Sequence, residues 1–301
     1  MFLYLASKVH RFVDFACDVH YRKAVLSRAI LFLLRKINSD VQYVGVNVNG
    51  EKTFLFTRDE AVTPYTIAMG GFQKEDLLYV ISLLQKNYNL KKNGIFFDIG
   101  ANIGTQTIYA LHSKLFQRAF CFEPVQSNID MLKLNLFANN LLPAAEVVPV
   151  ALSDSEGESE IVLSSVNCGD HRVVAGAAST GNGETQKIKC LTLDGYLSKQ
   201  GIKPTDVSLV WIDTQGHEGQ VLTGAQSVLA HNIPVVMEFW PWALRNAGGY
   251  EKILDIIKKH FRYFYDLTHE REKRRETANI AQYAASLSKA ELFATDLLLV
   301  K

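Results

Sequence analysis

The stretch Gly94-Ile95-Phe96-Phe97-Asp98-Ile99-Gly100-Ala101-Asn102-Ile103-Gly104 decides how this chain is read. Its short apolar run predicts a strand buried on both faces, as in a parallel sheet. The run closes on an acid, Asp98, and a turn containing Gly100 and Gly104 leads into a helical pattern. Such a turn lets backbone approach a ligand at the carboxyl end of a strand, the edge at which open α/β sheets bind.

Downstream, short apolar runs alternate with helical ones, which predicts βαβ units and a mostly parallel sheet with helices on both faces. Strands are expected near 94–99, 119–123, 146–151, 207–213, 234–239, 261–266 and 294–300, and helices near 103–114, 125–140, 219–230 and 248–260. The segment 164–187, rich in Gly, Ala, Ser, Thr and Asn, interrupts this rhythm between expected strands at 158–163 and 187–191. Long insertions of this kind in compact domains are usually functional loops, so a substrate loop is expected there. The charge run His269–Glu276 reads as a solvated surface segment.

Upstream, residues 1–36 place Val9, Phe12, Val13, Ala16, Ile30, Phe32 and Leu33 at helical spacing. Lys8, Arg11, Arg22, Lys23, Arg28, Arg35 and Lys36 outnumber Asp14 and Asp18 there. Helices packed on the main domain are the favoured reading, ahead of a membrane-surface or partner-docking helix, and a homodimer contact is the further guess. Val41–Val48 and Lys52–Thr57 flank Asn49-Gly50, a type I′ hairpin signal, and a helix is expected over Lys74–Tyr88. The division is therefore an N-terminal helical and hairpin extension, 1–92, and a catalytic domain, 93–301.

The 301 residues are 48% apolar and 21% charged, enough for a proper core. A net charge of +1 argues against a dedicated nucleic-acid binder, which needs a basic surplus. The cysteines Cys17, Cys121, Cys168 and Cys190 form no CxxC pair and no zinc spacing, which suits a reduced compartment. The apolar runs Met1–Ala6 and Ala29–Leu34 fall far short of the roughly 20 residues that span a bilayer. Met1–Ala6 also lacks a basic leader, so a cytoplasmic, soluble protein is expected.

A dinucleotide fingerprint counted from Gly100 would need glycines where Asn102 and Thr105 stand. Asp98 would also repel a pyrophosphate seated on the helix N-terminus. It suits a cation instead. S-adenosylmethionine carries an ammonium, a sulfonium and a ribose diol, and Glu123, at the end of the next strand, is placed to accept both diol protons. Either acid alone is an ordinary strand-end residue; the two on successive strands favour the cofactor. The third strand ends in Val150-Ala151-Leu152-Ser153-Asp154, whose loop should face the same crevice and meet adenine. The expected cofactor contacts are Asp98, Gly100, Ala101, Asn102, Gly104, Thr105, Glu123, Pro124, Leu152 and Asp154.

At Phe97-Asp-Ile-Gly-Ala-Asn-Ile-Gly104, Phe122-Glu-Pro124, Val150-Ala-Leu-Ser-Asp154, Leu191-Thr-Leu-Asp194 and Trp211-Ile-Asp-Thr-Gln-Gly-His-Glu218 the chain resembles the FkbM-type S-adenosylmethionine-dependent methyltransferases. The resemblance runs from about residue 93 to 301. It implies a seven-stranded Rossmann-like sheet whose last strand is antiparallel, and methyl transfer to oxygen, often on a sugar or polyketide-type hydroxyl.

The fourth strand delivers Asp213-Thr-Gln-Gly-His-Glu218 to the same edge. Methyl transfer needs the acceptor positioned in line and a proton removed from its hydroxyl. Asp213, His217 and Glu218 are the candidate catalytic groups; His217 has the best free pKa for a base, and Glu218 is equally a helix cap. The family commonly has an acid where this chain has Gln215. In the insertion, Asp170 is placed to orient His171, and Arg172 to bind the acceptor. Glu238 precedes Phe239-Trp240-Pro241-Trp242, aromatics that suit a sugar-like pocket or the core equally. No metal is expected, since His217 and Glu218 are adjacent rather than one turn apart. The rival readings are a nucleotide- or dinucleotide-dependent Rossmann-like enzyme and a non-catalytic binding protein that keeps the fold.

Overall fold

The computed structural model describes residues 19–174, 184–289 and 294–301. The expectations for Val9, Phe12, Val13, Ala16 and Cys17, and for 175–183 of the insertion, lie outside the described residues. The chain forms two compact units, one running through Phe72 with Ser165–Gly169, the other comprising Gln73–Ser164 and Asp170–Lys301.

The first unit contains α1 (Val19–Ile37), β1 (Tyr43–Val48), β2 (Glu51–Phe56) and α2 (Val62–Met69). Asn49 and Gly50 both have positive φ, and Val48 pairs with Glu51, which is the expected two-residue hairpin. Asp59 accepts from Thr63 N (2.5 Å) at the start of α2 and from Cys168 N (3.2 Å), which ties 165–169 into this unit.

The second unit opens with α3 (Lys74–Asn87), β3 (Gly94–Ile99), α4 (Thr105–His112), β4 (Phe116–Phe122), α5 (Gln126–Ala138) and β5 (Ala145–Val148). It continues with β6 (Ala151–Leu152), β7 (Gly157–Val162), β8 (Arg172–Val173), β9 (Thr185–Leu191), α6 (Leu193–Gln200) and β10 (Val207–Ile212). Then come α7 (Glu218–Thr223), α8 (Gln226–Leu229), β11 (Val235–Phe239), α9 (Pro241–Asn246), α10 (Tyr250–His260) and β12 (Tyr263–Asp266). The chain closes with β13 (Glu270–Glu276), α11 (Ile280–Lys289) and β14 (Thr295–Val300). Helix α3, grouped by sequence with the extension, belongs here because Leu77, Val80, Ile81 and Leu84 enter the core beside Phe96 and Trp211.

The main sheet has the order β13-β12-β14-β11-β10-β3-β4-β5, a Rossmann-like arrangement. Strands β5, β4, β3, β10 and β11 are parallel. The last strand, β14, runs antiparallel between β11 and β12, as expected. Side chains alternate across it: Phe97, Val210 and Ile212 face α6, α7, α10 and α11, whereas Phe96, Leu209 and Trp211 face α3, α4 and α5.

The sheet has eight strands, not seven. The eighth is β13, the charge run expected to be a bare surface segment. It pairs antiparallel with β12 and is largely exposed. Seven consecutive residues of which all are charged carry no alternation for a sequence to reveal, yet charge is what keeps an edge strand from recruiting another chain. The expected third strand is also split. β5 stays in the main sheet, and β6 joins a second sheet, β6-β9-β7-β8, over Val125, Ile161, Ile188 and Cys190. That sheet takes in Arg172 and Val173, so part of the expected loop is a strand paired with β7.

Asp266, 1% exposed at the end of β12, closes the antiparallel corner. It accepts from Thr295 Oγ1 (2.5 Å) on β14, from the Tyr283 hydroxyl on α11 and from Thr268 N and His269 N (3.0 Å each). Burial alone would raise its pKa; the Thr295 and Tyr283 bonds outweigh it and hold the carboxyl below its ordinary range. Its stabilising effect is therefore present at neutral pH and fades as pH falls through that lowered value. Asp266→Ala is expected to cost about 2–4 kcal/mol in urea unfolding at neutral pH, because the donors lose their acceptor. A cost under about 0.5 kcal/mol would mean that the corner is held by other contacts.

Candidate active site

The site grows from the place where β3 and β10 end side by side. Asp213 N donates to Ile99 O (2.9 Å), which carries the pairing one residue past β10. Gly100 then passes so close that a Cβ there would lie 1.9 Å from the Asp213 carbonyl oxygen, and its φ is +80°. Only glycine fits. The approach brings Asp98 and Asp213 to neighbouring strand ends. Asp98 is 2% exposed and accepts from Thr107 Oγ1 (2.5 Å) on α4. Burial, with Asp213 beside it, pushes its pKa up to about 7.

The next turn is clamped by Glu123. Its two oxygens separately accept Asn102 N and Val125 N (2.9 Å each), and the side chain of Asn128 adds a third bond. Asn102 takes a left-handed φ of 50°, and Gly104, also left-handed, starts α4. Burial lifts Glu123 to about 7 despite those bonds. Three bonds leave the carboxylate one of its four acceptor positions, and Asn102 Oδ1 is buried without a partner among the described residues. A fixed carboxylate with one acceptor position left, beside the unused buried Asn102 Oδ1 and next to an acid lifted by burial, fits a ligand that carries a diol and a cation. Ala101 and Thr105 are buried beside it, and Pro124 is half-buried.

The loop after β6 is fixed by partners elsewhere in the second unit. The Leu152 side chain lies in the core with Phe97 and Ile99, and its backbone pairs with Leu191. Asp154 is bound to Lys252 (3.2 Å), which holds its carboxyl below the usual range against the opposing effect of burial. His217, in the loop after β10, reaches this loop, with Nε2 2.9 Å from Ser153 Oγ. It is 7% exposed, and burial pushes its pKa down to about 4, so it is neutral at physiological pH.

Around Asp213 lies a set of carboxylates. Gln215, at a left-handed φ of 55°, donates from Nε2 to Asp213 Oδ1 (2.7 Å) and to Glu238 Oε2 (3.0 Å). Glu238 faces Asp296 across β11 and β14, and Gln73 Nε2 donates to Asp296 Oδ2 (3.0 Å). Burial, then Asp213, lifts both Glu238 and Asp296 well above their ordinary values; burial also lifts Asp213 to about 6. Glu218, fully buried, accepts Thr214 N (2.9 Å), Thr214 Oγ1 (3.0 Å) and Gly216 N (3.0 Å), so it staples the 213–218 loop together. Burial lifts it to about 7.

In the insertion, Asp170 forms an ion pair. Its partner is Arg172, Nε to Oδ1 at 2.6 Å, while His171 Nδ1 accepts Ser164 N (3.0 Å). Pairing of Arg172 with Val162 in the second sheet sets its position. Its guanidinium lies over the rings of Trp240 (4.7 Å) and Trp242 (5.5 Å). Those rings are 5.4 Å apart, Trp242 is 55% exposed, and Trp240 Nε1 is buried without a partner among the described residues.

Sequence reasoning missed Thr107, Asn128, Lys252, Gln73 and Asp296, and the bridging part of Gln215. Gln215 had a signal, as an amide where the resembled family has an acid. Asp296 had one too, as a lone acid in an apolar strand.

A family model described as the methyltransferase FkbM domain matches residues 98–266. No curated protein matches the chain. Among solved structures, an FkbM methyltransferase from Methylobacillus flagellatus is 10% identical with a TM-score of 0.41, covering 80% of this chain and 65% of that one. The chain thus spans less than two-thirds of that protein's length. The O-methyltransferase of Bacillus cereus in complex with SAH is 12% identical with a TM-score of 0.41, covering 76% and 82%. TomG, an O-methyltransferase of Streptomyces achromogenes in complex with SAM, is 9% identical with a TM-score of 0.41, covering 75% and 79%.

The raised carboxylates give the ligand-free chain a signed pH dependence. A group whose folded pKa is raised stabilises most below its unfolded value and loses that effect as pH rises through the folded value, here about 7 for Asp98. Asp98→Asn and Glu238→Gln should therefore gain melting temperature over the wild type progressively from about pH 5 to about pH 8. A difference that stays flat or shrinks over this range would show that these acids are not strained by ionisation.

Proposed function

The chain belongs to the FkbM methyltransferase family, and from that we propose that it transfers the methyl group of S-adenosylmethionine to a hydroxyl oxygen of a small-molecule acceptor, most readily a sugar. Residues 93–301 carry the transfer chemistry on a domain that also takes in helix α3, and the stretch Asp170–Arg172 of the insertion faces the acceptor. The observation that carries the reading is the pair of strand-end carboxylates, Asp98 and Glu123, held beside the Gly100–Asp213 contact with acceptor positions unspent.

S-adenosylmethionine supplies an electrophilic methyl group and leaves as the neutral thioether. Glu123 would accept a ribose hydroxyl, with Asn102 Oδ1 free to accept the other, and Asp98 would meet the ammonium, its ionised form favoured by the cation. The backbone of the 100–105 turn would hold this ligand, and Asp154 would contribute from the loop after β6. Asp213 is the base: Gln215 occupies Oδ1, and Oδ2 takes the acceptor proton as the oxygen forms its bond to carbon. A value lifted to about 6 suits proton removal near neutral pH better than the about 4 of His217. Glu218 acts through the loop and His217 through Ser153, so both are positioning residues. Glu238, whose pKa burial and then Asp213 raise well above its ordinary value, engages an acceptor hydroxyl. Trp242 offers an exposed ring for the apolar face of a sugar, and Arg172 with Asp170 engages hydroxyls beside it.

Calorimetry with S-adenosylhomocysteine tests the cofactor site. Wild type is expected to bind in the micromolar range, about 8 kcal/mol, with Asp98→Asn and Glu123→Ala each weaker by about tenfold or more and NAD not bound. Asp213→Asn should keep that affinity and lose turnover with methyl-labelled cofactor and a sugar panel by about 100-fold. Failure of the folded wild type to bind would end the methyltransferase reading; unaltered turnover in Asp213→Asn would move the base elsewhere.

A further inference from the structure

Helix α1 has no part in the proposed transfer, and its two sides differ in partner. Ser27 and Leu31 are buried in the first unit, and Leu34 is half-buried. On the adjoining face, about a quarter-turn round the helix, Leu26, Ile30, Leu33 and Ile37 are 46–82% exposed. Their spacing of four, three and four residues places them in one stripe. Contiguous exposed aliphatic side chains of this size mark an interaction surface.

Charge selects the occupant. The helix carries Arg22, Lys23, Arg28, Arg35 and Lys36 and no acidic residue. Arg35 and Lys36 line a cleft of about 370 Å³ with Phe32 and Glu60. Glu60 serves both neighbouring arginines: its carbonyl accepts Arg28 Nε (3.2 Å), and its carboxylate stands 3.9 Å from Arg35 Nη2. That leaves Arg35 Nε as a buried donor with no acceptor among the described residues. A cationic recess with an unmet donor, at the end of an apolar stripe, suits a phosphate attached to something apolar. A second copy docked through the same face would set basic helix against basic helix with no acid on either to offset them. No helix among the described residues is long and apolar enough to cross a membrane.

We propose that α1 lies in the plane of a bilayer surface containing anionic phospholipid, with Leu26, Ile30, Leu33 and Ile37 at the headgroup–acyl boundary and Arg35 and Lys36 on lipid phosphate. Basic amphipathic helices bind such surfaces through buried apolar area together with attraction to anionic headgroups.

The test is sedimentation of the full chain with phosphatidylcholine vesicles, with and without about 30% phosphatidylglycerol, at low and high salt. Wild type is expected to pellet with the anionic vesicles alone, and less so at high salt. Leu26→Ser with Leu33→Ser should weaken this binding at least tenfold, and Arg35→Gln with Lys36→Gln several-fold, with loss of the salt response. Circular dichroism melting should leave the serine pair unchanged, because both positions are exposed. The proposal is overturned if wild type stays in solution with anionic vesicles or binds both vesicle types equally. It is equally overturned if the folded serine pair binds lipid as before, or alters only the oligomeric mass.

Discussion

A contact without room for a methyl group organises this protein. Gly100 and the carbonyl of Asp213 meet at the ends of β3 and β10, the strands on either side of the point where the chain reverses its direction of travel across the sheet. Because β3 leads to β4 and β5 on one side and β10 leads to β11 and β14 on the other, loops from both halves converge there. The close approach fixes how far apart Asp98 and Asp213 sit, and the turn it starts carries Asn102 to Glu123 and Thr107 to Asp98. Any side chain at position 100 would push the two halves apart and dissolve these bonds together.

The second consequence is electrostatic. Asp98, Asp213, Glu218, Glu238 and Asp296 gather at one edge, with amides rather than cations between them, notably Gln215 and Gln73. Amides can hold carboxylates in place without neutralising them, so burial and mutual repulsion raise their pKa values. Within that set the bonding separates the roles. Glu218 is saturated by its own loop, whereas Asp213 is held by one oxygen. The indole pair and Arg172, which belong to a different sheet and a different loop, complete the surroundings.

Much of the fold was legible because a parallel sheet buries its strands on both faces, which leaves continuous apolar runs such as Ile95–Ile99 and Val207–Ile212. The edge strand Glu270–Glu276 was not, because solvent and charge impose no apolar period on it. In the site, residues adjacent to recognisable strand ends, Asp98, Glu123 and Asp213, were found by position. Partners fixed by tertiary pairing were not: Asp296 meets Glu238 only because the last strand inserts beside β11, and His217 meets Ser153 across the fold. Asp170 and His171, adjacent in sequence, turn to different partners, as adjacent residues near an extended segment generally do.

The central claim is that the strand-end acids are held partly protonated and await a cation. Calorimetry of S-adenosylhomocysteine binding near pH 7, repeated in buffers of different ionisation enthalpy, measures it directly as protons exchanged. Arrival of the ligand ammonium should ionise acids whose values lie near 7, so net proton release is expected, diminished in Asp98→Asn. Binding with no proton exchange, or with uptake, would contradict the role given to these carboxylates.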